Sequence, residues 1–443
     1  MTDVVKAEVA VIGGGAAGAM AALAAARVEG VGVALVAGRP SATALSSGAV
    51  DLAGEVSLTS LTPLREALGR LIVEYPRQPL SRLGRDECER IGRVVSDVLC
   101  GDLDGGRLYH PRGFDQPHQL AVSALGHIHP CWLCQVSQVN LRTWPGRTVG
   151  IAEIAGSSLP AWLLAGQMDR GAASSKLDAA FTAVDVQLPD WLDPGRPLLI
   201  AARLDEDETA TTRLGRALAD AVKAHPVDVV LIPPWAGLDR TPEVLAKLTD
   251  IAEVPVLEVL GRPGDPPGLR LHRHLERVTK TAGVEHIAGA ATSLNVEGSI
   301  VRSVEVRGGG VEVTLEASVF VLCTGGLAGG GIALGSGPAE GLLDLPLELD
   351  GRPLRPPSSF YGADRSALFA PTPDVSHPLC RAGVPFDDSL RPLDDGAPAF
   401  SNLFVSGSQL TEGDAAVSRS GLASAMITGY RAGELAASSC VGE

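Results

Sequence analysis

The strongest constraint in the chain is Gly13-x-Gly15-x-x-Gly18, placed between an apolar run, Glu8 to Ile12, and an Ala/Leu/Met-rich stretch from Ala16 to Arg27. The first run is β-prone and the second is a good helix former. In that setting the first glycine permits a tight turn, the second admits a pyrophosphate against the backbone, and the third lets helix and strand pack closely. Free N–H groups and the positive helix end then face the phosphate. Gly30-Val31-Gly32 turns into a second apolar run, Val33 to Val36, which completes a βαβ unit. The fold class that follows is α/β, with a Rossmann-like FAD/NAD(P)-binding domain.

That domain is not continuous. From about residue 60 to 265 the pattern mixes helical stretches with Pro-punctuated strands such as Val227 to Pro234. The expected organisation is residues 1–60 as the first part of the nucleotide-binding domain, 61–265 as an inserted α+β capping domain on the substrate side, and 266–443 as the second part. After Gly268, Leu269 to Ala282 fits an amphipathic helix. Val284 to Val296 and Ser299 to Leu315 read as short strands and a hairpin, with Asn295-Val296-Glu297-Gly298 as the turn. Val319 to Leu322 and Asn402 to Ser408 are further buried strands, and a small-residue helix runs from about Gly421 to Ala437; residues 336 to 400 between them read as loop. The 52 glycines and 31 prolines show no repeat, so they signal tight turns and close backbone approaches, not a fibrous or disordered chain.

Charge narrows the partners. Against 37 Lys and Arg stand 52 Asp and Glu, a net charge of −15 that disfavours nucleic acid or an anionic membrane. No apolar stretch reaches the ~18–20 residues of a membrane span, since Gly13, Gly14, Gly15 and Gly18 break the most apolar one. The start is wrong for a signal peptide, and seven cysteines are too few and odd in number for a disulfide framework, so the cytoplasm is the expected compartment.

The second strand ends Val36-Ala37-Gly38-Arg39, where an acid would ordinarily hydrogen-bond the adenosine ribose. Three readings stand open: the adenosine half is held by other groups, the ligand is a mononucleotide, or Arg39 meets a 2′-phosphate. The first two leave FAD and FMN both open, with a weaker preference for FAD than a carboxylate at the end of this strand would give.

Three further segments occur in order along the chain: Leu45-Ser46-Ser47-Gly48-Ala49-Val50-Asp51-Leu52, then Val321-Leu322-Cys323-Thr324-Gly325-Gly326, then Asn402 to Ser408 leading to Ser420-Gly421-Leu422-Ala423. With Val149 to Gly156 and Leu231 to Leu238, the set resembles the B-subunit family of anaerobic glycerol-3-phosphate dehydrogenases, relatives of the fumarate reductase and succinate dehydrogenase flavoproteins, over nearly the whole chain. The resemblance implies a flavin, FMN or FAD. Gly13, Gly15 and Gly18 would line its phosphates and Ser46, Ser47 and Gly48 would lie near the ribityl and ring. Thr324, Gly325 and Gly326 would pass the backbone close to it, and Gly407 with Gly421 would hold the ribityl–pyrimidine side. After Gly407, Gln409 to Asp414 and Arg419-Ser420-Gly421 depart from the family's more glycine-rich pattern.

The implied activity is oxidation of sn-glycerol 3-phosphate to dihydroxyacetone phosphate with electrons passed toward quinone. The resemblance also implies a second flavoprotein and an iron–sulfur protein as partners, through which any membrane association would run. Polyol oxidation needs a base for the hydroxyl proton, and His127 and His129 are the candidates, with Arg112, Arg142 and Arg147 available for a phosphate or carboxylate. His127-Ile128-His129-Pro130-Cys131-Trp132-Leu133-Cys134 also has the residue types of a metal site or a redox pair. No second knuckle accompanies it, and the expectation is packing without a metal. A non-catalytic scaffold or electron-transfer subunit that has lost its flavin, or a flavin dehydrogenase of another hydroxy acid or a fumarate-like substrate, are the rival readings. Walker-type and serine-hydrolase motifs do not occur, which disfavours phosphoryl transfer and hydrolysis.

Overall fold

The computed structural model describes residues 3–38, 40–52, 58, 60–103, 106–154, 160–333, 339–354, 377–413 and 418–441. Its elements, in chain order, begin with strand β1 (Asp3–Ile12), helix α1 (Ala16–Ala26) and strand β2 (Val33–Val36). Helices α2 (Leu64–Glu74) and α3 (Arg85–Cys100) follow, then a hairpin of β3 (Gln119–Val122) and β4 (Ile128–Cys131). Next come β5 (Arg147–Glu153), α4 (Ala161–Ser174), β6 (Ala179–Asp185), α5 (Pro197–Glu206), α6 (Glu208–Ala224), β7 (Val229–Ile232), α7 (Thr241–Ala252) and β8 (Val256–Glu258). The chain returns through α8 (Pro266–Thr281), β9 (Glu285–Ile287), β10 (Ala290–Glu297), β11 (Ile300–Gly308), β12 (Val311–Leu322), β13 (Leu403–Val405) and α9 (Gly421–Val441).

Two sheets organise these elements. The first has the order β9-β2-β1-β12-β11-β10, with β13 on β12. The centre of its parallel part, β2, the second half of β1, the end of β12 and β13, is made of β-branched and other apolar runs buried on both faces, as a sheet covered by helices requires, while β9 forms a short edge. The long β12 serves two neighbours on one side: residues 311–316 pair antiparallel with β11, and Phe320, Val321 and Leu322 pair parallel with β13. The β10–β11 hairpin closes at Glu297 and Ile300, with Gly298 at φ +61°, where the sequence places a turn.

The second sheet, β8-β7-β5-β6, is parallel throughout and its strands alternate with α4 to α7. The inserted segment therefore holds a small α/β layer of its own beside the β3–β4 hairpin and the α2–α3 pair. Within the stretch expected as loop, the described residues carry two short hairpins, Leu347–Leu349 with Arg352–Leu354 and Leu393–Asp394 with Ala397–Pro398; residues 355–376 lie outside the described ones.

Helix α1 joins the early and late parts of the chain. Ten of its eleven residues are buried, and its small side chains let two layers of helix approach it. A Cβ at Gly429 or Gly433 of α9 would collide with the carbonyls of Ala17 and Ala21, so the two helices pack backbone against backbone.

Candidate functional site

A cavity of about 300 Å³ opens at the carboxyl end of the parallel strands. The loop after β1, the loop after β2, the start of β10, the end of β12 and Ser406 to Ser408 form its walls, the place where open α/β sheets bind ligands. The three motif glycines divide the work there. Gly13 has φ +116°, and a Cβ on it would strike the Cys323 carbonyl; a Cβ on Gly18 would strike the carbonyl of Gly13 itself. These two are glycine because the protein's own backbone fills the space. Gly15 differs: a Cβ there would stand 3.6 Å from the nearest protein atoms, in Ser41 and Thr43, an ordinary contact. The room beside Gly15 belongs to the cavity.

Donors face that room. Thr43 Oγ1 accepts the N–H of Ala16 at 2.9 Å, while the N–H groups of Gly15 and Ala17 at the start of α1 have no hydrogen-bond partner among the described residues. An anionic diphosphate supplies the acceptors these groups lack, and the helix end favours its charge. The site thus fits a flavin dinucleotide on its own geometry.

Thr324 and Gly325 line the same cavity, with Gly325 at φ +86° and Thr324 Oγ1 donating to Gln409 Oε1 at 2.7 Å. Gly326 lies just behind, its N–H donating to Ser408 Oγ at 2.9 Å. Gly407, at φ +81°, lines the cavity too and donates its N–H to Thr428 Oγ1 of α9. Gly421 begins α9 and is not part of the lining. Ser46, Ser47 and Gly48 also stand outside it, soon after the lining residues Ser41, Ala42 and Thr43. Their backbone ties the cavity wall to the insert: the Ser47 carbonyl accepts from Gln138 Nε2 and Gly261 N–H, and the Gly48 carbonyl accepts from the Tyr109 hydroxyl at 2.5 Å. Arg39 lies outside the described residues. Ser41, Thr43, Gln409, Ser408 and a buried acid, Glu340, are lining or supporting residues that the motifs do not flag.

A second cluster sits on the insert side, immediately after that tie. His129 Nε2 is 2.9 Å from Asp51 Oδ1, and both side chains are partly exposed. In the sequence Asp51 stands out only as a motif position. His127 is exposed, and its side chain has no partner among the described residues. His118 is buried, bonded through Nε2 to the Leu52 carbonyl, and burial lowers its pKa. Arg112 binds the Pro117 carbonyl, and Arg142 binds the carbonyls of His118 and Ser60. Burial depresses both guanidinium pKa values, and the charge of Arg112 lowers that of Arg142 further. Neither arginine has a carboxylate partner among the described residues, and Nη1 of each makes no hydrogen bond there. Arg147 does not join them; it pairs with Asp228 at 2.9 Å on the surface.

The two thiols of the His/Cys segment are fully buried beside Ala49, Ala121 and Leu260. The Cys131 thiol is pushed well up by its hydrogen bond with Cys134 and by burial. Among the described residues no three His, Cys, Asp or Glu side chains are grouped to hold a metal. Nor is any described helix long and apolar enough to cross a membrane.

Comparison with known proteins agrees with the cavity. Residues 8–155 match the FAD binding domain family. The probable B subunit of an anaerobic glycerol-3-phosphate dehydrogenase from Halobacterium salinarum is 33% identical over 228 residues, 51% of this chain and 49% of that one, so the match spans about half the length of that relative. The B subunit of the anaerobic glycerol-3-phosphate dehydrogenase of Vibrio cholerae is 27% identical over 442 residues, covering 96% of this chain and 95% of that one. Among solved structures, quinol fumarate reductase FrdA of E. coli aligns with a TM-score of 0.44 at 11% identity, over 99% of this chain and 71% of that one. The cofactor is accordingly a flavin, FAD, and the chain is a flavoprotein of an oxidoreductase lineage related to those two dehydrogenase subunits.

Proposed function

We propose that this chain is a flavin-dependent oxidoreductase subunit that oxidises the secondary hydroxyl of sn-glycerol 3-phosphate to the ketone of dihydroxyacetone phosphate, with the electrons passed toward quinone by partner proteins. The observation that carries the reading is the Asp51–His129 pair beside two partly buried arginines that have no carboxylate partner among the described residues. The relationship to proteins named for that activity supports this choice of substrate.

The residues have separable tasks. A carboxylate only accepts, so the Asp51 contact places the hydrogen of His129 on Nε2 and leaves Nδ1 as the basic nitrogen. His129 Nδ1 takes the hydroxyl proton as hydride leaves the same carbon. Bound FAD supplies the two-electron acceptor for that hydride. Arg112 and Arg142, through their Nη1 groups, hold the phosphate, which also offsets the repulsion between the two cations. Burial lowers the pKa of His118, which disfavours a third positive charge beside the two guanidinium groups.

Loss of a positioned base typically removes 10²–10⁴ in rate, so His129→Gln in the assembled complex should lower glycerol-3-phosphate-dependent quinone reduction by about that range while flavin content holds. Arg112→Gln should act mainly on KM. The chain alone should reduce a dye slowly and quinone hardly at all, with recovery on adding a second flavoprotein and an iron–sulfur protein. An unchanged rate in the His129→Gln complex would place the chemistry in the partner flavoprotein and overturn the assignment. Full quinone turnover by the lone chain would overturn the need for partners.

A further inference from the structure

The FAD cavity contains a single charged side chain among its described lining residues, and it is not at the end of β2, where the sequence motif would place one. That residue is Glu340. It is 2% exposed, yet no lysine or arginine pairs with it among the described residues. Its two oxygens accept the backbone N–H groups of Leu342 at 3.1 Å and Leu343 at 2.8 Å, and the carboxylate also takes the N–H of Leu345. Each carboxylate oxygen has two acceptor sites, so room for a further donor remains. Burial raises its pKa, which marks the cost of keeping an unpaired acid there.

At the position where an acid would be expected, the end of β2, stands Ala37. Its N–H is taken by the Ile287 carbonyl and its methyl lies against Gly14, where a Cβ would come within 2.5 Å. Ala37 and Glu340 nonetheless line the same cavity. An acceptor-only group is a poor neighbour for a phosphate and a good one for a diol. In a dinucleotide whose diphosphate lies on the N-terminus of α1, the diol nearest to the strand ends is that of the adenosine ribose.

We propose that Glu340, and not a residue at the end of β2, is the carboxylate that receives the adenosine ribose hydroxyls of FAD. The proposal rests on FAD occupying this cavity. Its consequence is that preference for the dinucleotide over FMN is set where Ala339–Glu340 pairs with Ile332–Ala333, in a part of the chain far from the glycine motif.

The test uses apoprotein of the full chain with FAD, FMN, ADP, and the 2′- and 3′-deoxy forms of ADP as probes. Wild type should bind FAD more tightly than FMN and should lose about tenfold or more in affinity when the recognised hydroxyl is removed from ADP, the range for a charge-assisted hydrogen bond. Glu340→Ala should bind FAD and ADP about tenfold or more weakly, bind FMN as before, and no longer distinguish ADP from its deoxy forms. Glu340→Gln keeps an acceptor for the Leu342–Leu343 turn and should fall between the two, which separates ribose contact from loss of the turn. Adding Ala37→Glu to Glu340→Ala should restore part of the FAD affinity. Equal loss of FAD and FMN, or retained discrimination of the deoxy forms in Glu340→Ala, would overturn the proposal. If Gly15→Val leaves FAD affinity untouched, it is the location of FAD in this cavity that fails, and the assignment of Glu340 falls with it.

Discussion

At the scale of single residues, the glycine motif is legible but its division of labour is not. The sequence shows three glycines at the right spacing; only the structure shows that Gly13 and Gly18 are held by backbone contacts to Cys323 and to each other, and that of the three only Gly15 could carry a Cβ without a clash. The contrast predicts two different failures. Gly15→Val should purify folded, with a melting temperature near wild type, and carry no flavin, because its side chain fills cavity and not core. Gly18→Ala should lose the fold, since the clash is with a main-chain carbonyl that cannot rotate away. Absorbance in the flavin bands against a thermal melt on both variants checks this; a Gly18→Ala protein as stable as wild type would contradict it. Ser41, Thr43 and Glu340 escape the sequence reading for a plain reason. A hydroxyl after a strand, or one acid in a Gly/Pro-rich run, has no local pattern that distinguishes a cavity wall from a solvated turn. His129 is readable as a histidine near a substrate side, but its partner Asp51 is remote in sequence and is brought to it by the pairing of Val50 with Leu133.

At the scale of elements, what is legible follows from period and propensity. Strand β1, helix α1 and strand β2 form where the apolar runs and glycines place them, and helix α8 spans Pro266–Thr281 against an expected 269–282. The parallel sheet of the insert is harder to read because β6 is Ala179–Asp185, an Ala-rich segment with weak strand preference, and only its neighbour β5 decides its state. Helix α8 also hides a reversal. Its amphipathic pattern suggests that Arg270 faces water, but Arg270 is 1% exposed and forms a two-pronged pair with Glu258 of β8, which is fully buried. Arg270 further donates to the Gly237 carbonyl and to Ser137 Oγ, so one side chain joins α8, β8 and two loops of the insert. Removing one partner of such a pair leaves a buried charge and costs about 3–5 kcal/mol. Arg270→Ala should therefore lower stability to chemical denaturation by about that amount, whereas Arg270→Met with Glu258→Leu should recover much of it. A double variant no more stable than Arg270→Ala would show that the bonds to Gly237 and Ser137, not the charge pair, are what matters.

At the scale of the whole molecule, buried histidines add to acid sensitivity. His274 and His118 are both buried and bonded to backbone carbonyls, those of Val98 and Leu52. Burial lowers both pKa values below the ordinary 6.5. Below pH 6.5 the unfolded chain takes up protons that the folded chain refuses, so stability is full above that value and falls as pH drops from it toward the lower folded pKa. Each such group contributes up to about 1.4 kcal/mol per pH unit across that window. His274→Gln, which can still donate to Val98, should flatten the loss by one proton's worth in denaturant titrations between about pH 7 and 5; an unchanged slope would remove His274 from the account. The separation of the chain into two sheets is readable because the βαβ signature stops and later resumes. How tightly the late part closes on the early one is not, because Gly429 and Gly433 read as ordinary small residues until α1 is seen against them. That closure has a consequence in time. Gly13 to Ala17 leave the ribosome early, while Ser406 to Ser408 and the helix that clamps α1 follow some 390 residues later, which at 5–20 residues per second is roughly 20–80 s. Through that interval the nascent chain presents half a binding site, so capture of FAD waits until the clamping helix has emerged, and a cell short of flavin would accumulate apoprotein that carries this helix, not stalled fragments.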